Sequence, residues 1–208
     1  MYTLTVATSA FLSWNVFVCF LIILVAVQFR LLNLKIKALN CEDVQNEHYF
    51  DRYVRDLKSV IQYQQNLMRY IKVLNELLHV PVALLMITSV FLMCLNMYAL
   101  TTSKGSMVDN GRIMISCSTL IVEFFMVYGL PAQLLMDESE ATADMVYFEC
   151  KWYLPNLRPL RKHFLNMMTR SQKGVCIRAG NYHIINNRTI LIMMKTAYSF
   201  YTFLQKVA

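Results

Sequence analysis

Residues 8–29 read "TSAFLSWNVFVCFLIILVAVQF", without one charged side chain. A run of that length matches the ~20 apolar residues with which an α-helix crosses ~30 Å of hydrocarbon. Residues 80–103 are likewise uncharged, and 113–136 carry a single charge, Glu123. A fourth segment, 187–206, is the least apolar because Lys195 sits within it. The whole chain follows suit, with 57% hydrophobic and 16% charged residues, where soluble domains sit near ~45–50% and ~25%. The fold class expected is all-α, a polytopic membrane helical bundle of four transmembrane helices with long cytoplasmic helical extensions. The first run is too long for a signal-peptide core, has no basic segment before it and no small-residue cleavage site before "RLLNLK", so it reads as a retained helix.

Positive charge sets the expected orientation. Of 20 Lys and Arg, eight lie between Arg30 and Lys72 and eight between Lys151 and Arg188, while the short turn 101–112 holds two. With four spans the two long segments share a side, and the positive-inside rule makes it the cytoplasm, with both chain ends outside. The net charge of +7 is then mainly a topology signal. Nucleic-acid binding is not expected, because the basic residues are mixed with acids. The six cysteines stand far apart, with no metal-ligand spacing, and none is expected to form a disulfide.

The first span continues in helical pattern through "RLLNLKIKALN", followed by a polar break, "CEDVQNEH". Over 51–78, Val54, Leu57, Ile61, Met68, Ile71 and Leu78 recur at three- and four-residue steps. That spacing predicts an amphipathic cytoplasmic helix of about 42 Å, bending into the next span at Pro81. Residues 137–180 form a second cytoplasmic region. Its acidic opening, "DESEATAD", suits a helix N-terminus. Beyond it Met145, Phe148, Trp152, Leu157, Leu160, Phe164, Met167 and Met168 make an apolar set for packing on the first helix pair, on a neighbouring subunit, or on the membrane surface. The two glycines of "KGVCIRAGNY" mark a turn before the last span.

No catalytic signature is present, so an enzyme is not expected, and neither metal nor cofactor is implied. Asn187-Arg188-Thr189 is a formal glycosylation sequon that the charge-derived topology leaves unmodified. Glu123 is the one acid inside a span, and it reads as a structural pairing, a protonated group or a functional site. Lys195 offers it a partner, or extends to the inner interface. On the last helix Tyr198, Tyr201 and Gln205 fall within an arc of about 60°, with Thr202 beside it, at 100° per residue. Such a polar stripe in a bilayer meets either neighbouring helices or a water-filled path.

The tail carries a resemblance. The order "GLPAQLLMDESEATADMVYFECKWYLPNLRPLRKHFLNMMTRSQK", "GVCIRAGNYHIINNRTI" and "LIMMKTAYSFYTFLQ" is similar to the C-terminal signature of insect odorant receptors. Its landmarks are the Glu-Ser run, Trp152-Tyr153, Arg-Ser-Gln-Lys at 170–173, Ala179-Gly180 and Lys-Thr-x-Tyr-Ser at 195–199. The resemblance implies an odorant-gated, non-selective cation channel of the plasma membrane in olfactory neuron dendrites, assembled as a heterotetramer with a shared co-receptor. It implies a pore and gate at Tyr198, Tyr201, Thr202 and Gln205. It also implies a pocket for small volatile ligands at Trp14, Phe17, Phe91, Cys94, Tyr98, Met114 and Cys117, and a subunit anchor through Phe148, Trp152, Leu157, Leu160, Phe164 and Met167. It covers the family's fourth to seventh helices, and helices one to three have no counterpart within the 208 residues. Two alternatives stand beside it: a gustatory receptor, whose tail spacing from Tyr to Gln is one residue shorter than here, and a truncated non-channel assembly partner.

Overall fold

The computed structural model describes residues 2–39, 47–102, 107–150, 152–180 and 183–207. Cys41 and most of the polar break, and part of the turn at 101–112, lie outside the described residues. The elements are α1 (Tyr2–Lys37), α2 (Glu47–Thr102), α3 (Met107–Glu123), a π-helix (Phe124–Gly129), α4 (Leu130–Glu149), a 3-10 helix (Pro155–Leu160), α5 (Arg161–Ser171), a two-stranded hairpin of β1 (Arg178–Ala179) and β2 (His183–Ile184), and α6 (Asn187–Val207). The all-α expectation holds. Among the described residues three helical runs are long and apolar enough to cross a bilayer, within Ser9–Lys37, Phe50–Thr102 and Met107–Glu149.

The chain divides into two compact units that share its long helices. The first comprises Met1–Cys19, Asn75–Gln133 and Ile177–Ala208, and the second Phe20–Leu74 and Leu134–Cys176.

The second unit is built on two matched seams. On α1 the seam runs through the buried Ile22, Val25, Phe29, Leu32 and Ile36, with Ala26 and Asn33 buried beside it, and on α2 through Tyr53, Leu57, Val60, Gln64, Leu67, Ile71 and Leu74. Both sets alternate three- and four-residue steps, the spacing that keeps one face of a helix on a partner. The seam on α2 differs from the one expected. Leu57, Ile71 and Leu78 are buried, but Val54, Ile61 and Met68 are only half-buried, because Tyr53, Val60, Gln64 and Leu67 hold the central line. The predicted apolar set leaves out Gln64, a type of side chain that ordinarily faces water. Gln64 instead donates to Ser171 Oγ at 2.8 Å, which satisfies a buried amide within the bundle.

α4 closes this unit with Leu135, Ala143 and Val146. Between them Asn33 donates to the Glu138 carbonyl at 3.0 Å, and Thr142 donates to Asn33 Oδ1 at 2.7 Å. The acidic run 137–144 does not start a helix, as the dipole argument anticipated. It lies inside α4, because the helical chain continues from α3 through the π-helix without a break. The expected helix beyond it is interrupted at 152–154, where Pro155 and Pro159 favour a 3-10 turn before α5 begins.

In the first unit, α2 continues through Pro81 as one helix. The proline ring removes one N–H from the helical ladder. The hairpin binds α2 close to that point: Gly180 N–H donates to the His79 carbonyl at 2.9 Å, and Arg178 N–H donates to Asn75 Oδ1 at 2.9 Å. β1 and β2 pair antiparallel, Arg178 with Ile184 and Ala179 with His183. The glycine-rich segment read as a plain turn is therefore a clasp. Gly180 at φ +59° takes the left-handed conformation that a side chain disfavours.

Candidate functional site

α6 begins with a cap. Asn186 Oδ1 accepts from Thr189 N–H at 2.8 Å and from the Thr189 hydroxyl at 2.9 Å, covering one N–H that the first turn leaves open. The sequon at 187–189 is thus folded into the start of a helix. There α6 sits against the end of the π-helix. A Cβ placed on Gly129 would stand 2.4 Å from Ile190 Cδ1 and 2.9 Å from Asn187 Oδ1, so a larger residue there would make both side chains shift. Ile190 and Ala197 are buried, at 4% and 0% exposure, and define the packed face of α6.

The polar stripe runs along the border of that face. Tyr201 and Thr202 are half-buried, while Tyr198 and Gln205 are exposed. The rings of Tyr198 and Tyr201 lie 5.9 Å apart at 46°. Beside them is a cavity of about 320 Å³ lined by Met93 and Met97 of α2, Ile121 of α3, and Met194, Lys195 and Tyr198 of α6. Of the residues singled out in the sequence, only Lys195 and Tyr198 line it. The four apolar partners were missed, although Met93 and Met97 stand one helical turn apart, a spacing that places both on one face.

The seven residues proposed for a volatile-ligand pocket are spread over α1, α2 and α3. Trp14 and Phe17 are exposed, with ring centroids 6.5 Å apart. Phe91 and Met114 are also exposed, Tyr98 and Cys117 half-buried, and Cys94 buried.

Glu123 meets Asn15, not Lys195. The Asn15 amide donates to Glu123 Oε1, and Tyr128 donates to Asn15 Oδ1 at 2.6 Å. Asn15 and Tyr128 are 2% and 1% exposed. The suggested Glu123–Lys195 pairing is therefore replaced by an amide bridge from α1, with Phe124 stacked on Tyr128 at 5.5 Å. The amide partner had a signal in the sequence, since Asn15 is a strongly polar residue inside an otherwise apolar run.

In the second unit the anchor residues separate into two groups. Leu157, Phe164 and Met167 are buried, whereas Trp152 and Leu160 are half-buried and Phe148 is 74% exposed. Tyr147 packs edge-on against Phe148 at 5.1 Å and lies 5.9 Å from Trp152. Arg161 fixes the turn beneath this aromatic cluster by donating to the Trp152 carbonyl at 3.2 Å and the Tyr153 carbonyl at 2.9 Å.

Compared with known families, residues 1–198 match the model described as 7tm Odorant receptor. The chain belongs to the 7tm odorant receptor family. Among curated proteins this odorant receptor chain is 24% identical over 213 residues to odorant receptor 56a of Drosophila melanogaster, covering 98% of the chain and 50% of that relative. It is 25% identical over 195 residues to putative odorant receptor 85d of the same species, covering 93% and 45%. The chain thus spans about half the length of the relatives it matches. Its fold is similar to that of the insect olfactory receptor OR5 from Machilis hrabei, solved in complex with eugenol, with a TM-score of 0.74 over 94% of this chain and 48% of that one, at 15% identity. Family and apolar helices together make it a multi-pass membrane protein of a receptor family.

Proposed function

We propose that the chain supplies the membrane helices and the anchor region of an odorant-gated, non-selective cation channel that works with a co-receptor as a heterotetramer. The observation that carries this reading is the family match over 1–198, which takes in every element up to the polar stripe of α6. α6 has 21 residues, about 31 Å at 1.5 Å per residue, enough for a fourth span. Its stripe of Tyr198, Tyr201, Thr202 and Gln205 then borders the conduction path and contributes the gate near the extracellular mouth. Hydroxyl and amide groups there replace part of a cation's hydration without binding it tightly.

In this reading the basic segments face the cytoplasm, and Phe148 and Trp152 contribute to the contact with neighbouring subunits. Trp14, Phe17, Phe91, Cys94, Tyr98, Met114 and Cys117 contribute apolar or weakly polar walls to the site of a small volatile ligand. The receptor resides in the plasma membrane of olfactory neuron dendrites.

The test is co-expression with the co-receptor in oocytes, followed by current recording against a panel of volatile compounds. A ligand-evoked current absent from cells holding the co-receptor alone supports the channel. Co-purification of the two chains without added current identifies a non-conducting assembly partner instead.

A further inference from the structure

From the π-turn we infer that α3 has two positions about its own axis, and that Asn15 latches the one seen here. Within Phe124–Gly129 the helical ladder is widened, with Leu130 N–H reaching back to the Phe125 carbonyl. Turns of this kind are rare and gather at functional sites. When the same residues tighten to ordinary α-helical bonding, the surplus residue passes into α3, which turns by about 100° against the chain beyond Gly129. Phe124 then takes the place of Glu123, and Glu123 leaves Asn15.

Three observations make this turn the bistable element. Glu123 and Tyr128 both bond to Asn15, although residues at that spacing stand about 140° apart around an α-helix. Only the widened turn brings them to one face, so the Asn15 amide is a latch specific to the π register. Secondly, none of the described residues of α3 is buried, and rotation therefore breaks no packed core on that helix. Thirdly, Asn187 Oδ1 is buried without a hydrogen-bond partner, 2.9 Å from where a Gly129 Cβ would lie. An unpaired acceptor is a cost that the present register carries, and the latch opposes it.

The measurement is fluorine NMR of the full chain in lipid nanodiscs, its thiols tagged with trifluoroethyl groups. Cys117 is the reporter, a half-buried thiol on α3, and its signal is the one that Cys117→Ser removes. Wild type is expected to show two Cys117 signals, or one line at their weighted mean where exchange is fast. Deleting Val127 leaves no surplus residue to pass on, so the minor signal should vanish, or the averaged line move to the major position. Asn15→Leu opens the latch and should raise the minor-to-major ratio about tenfold. Glu123→Gln keeps an acceptor for Asn15 and should stay within about twofold of wild type. Circular dichroism and size-exclusion profiles establish which variants retain the fold, and where the deletion does not, the two point variants decide. Identical Cys117 signals in wild type and Asn15→Leu would overturn the inference, as would a minor signal undiminished by the deletion. No ligand and no current enter the experiment, so it succeeds or fails separately from the channel test.

Discussion

Tyr128 and Asn15 are joined by a 2.6 Å hydrogen bond from phenol hydroxyl to amide oxygen, and the same amide turns its N–H toward Glu123. One asparagine thereby satisfies two polar groups of the α3 and π-helix segment from across the unit. Asn15→Leu should strand both, lowering stability by about 2 kcal/mol. Glu123→Gln keeps an acceptor for Asn15 and should cost less than about 0.7 kcal/mol. Thermal unfolding in detergent, followed by tryptophan fluorescence, separates the two. An Asn15→Leu variant as stable as Glu123→Gln would show that the bridge contributes nothing.

Gly129 is the point where α6 approaches the π-helix. Gly129→Ala is expected to destabilise by about 1–3 kcal/mol, the usual cost of overpacking. The closer of its two clashes is with Ile190 Cδ1, an atom that Ile190→Val removes. The double variant should therefore recover part of the loss, and a double-mutant cycle reads the coupling. Strict additivity would count against this contact.

At Gly174 and Gly180 the backbone is left-handed, with φ +57° and +59°. Alanine at either should cost about 1–2 kcal/mol, from the backbone itself. Asparagine tolerates this conformation better, so Gly180→Asn should retain more of the hairpin than Gly180→Ala. Limited proteolysis near 174–185 checks the order.

Asn33 links two polar groups of α4 inside the second unit. Asn33→Ala should cost about 1 kcal/mol, because the Thr142 hydroxyl loses its 2.7 Å acceptor and keeps only the Glu138 carbonyl at 3.3 Å. Adding Thr142→Val should restore part of that loss. Hydrogen exchange of amides over 138–146 is expected to rise in the single variant and fall back in the double.

Much of this architecture was legible from charge and spacing. Uncharged runs located the apolar helices, and "RLLNLKIKALN" announced that α1 outlasts its apolar stretch. What spacing concealed was partnership. The seam of α2 includes Gln64, whose burial depends on Ser171 more than a hundred positions away, and nothing local to Gln64 reports that. The acids of 137–144 resemble a helix start only if the preceding helix ends, and the π-helix keeps it going. At the candidate site the stripe residues were visible as a periodicity. The cavity was not, because its walls come from three helices and only their packing brings Met93, Ile121 and Met194 together.

A π-turn holds one residue more than the α-helical turn it replaces. Phe124–Gly129 therefore carries a spare position in the middle of a long rod. Loss of one residue there would let the turn tighten to ordinary helix, with Phe124 and Ala132 still facing inward. The same loss in α3 or α4 would rotate everything beyond it by about 100°. This short stretch is thus where the chain can absorb a one-codon deletion, and where related genes can differ in length without disturbing the helices on either side.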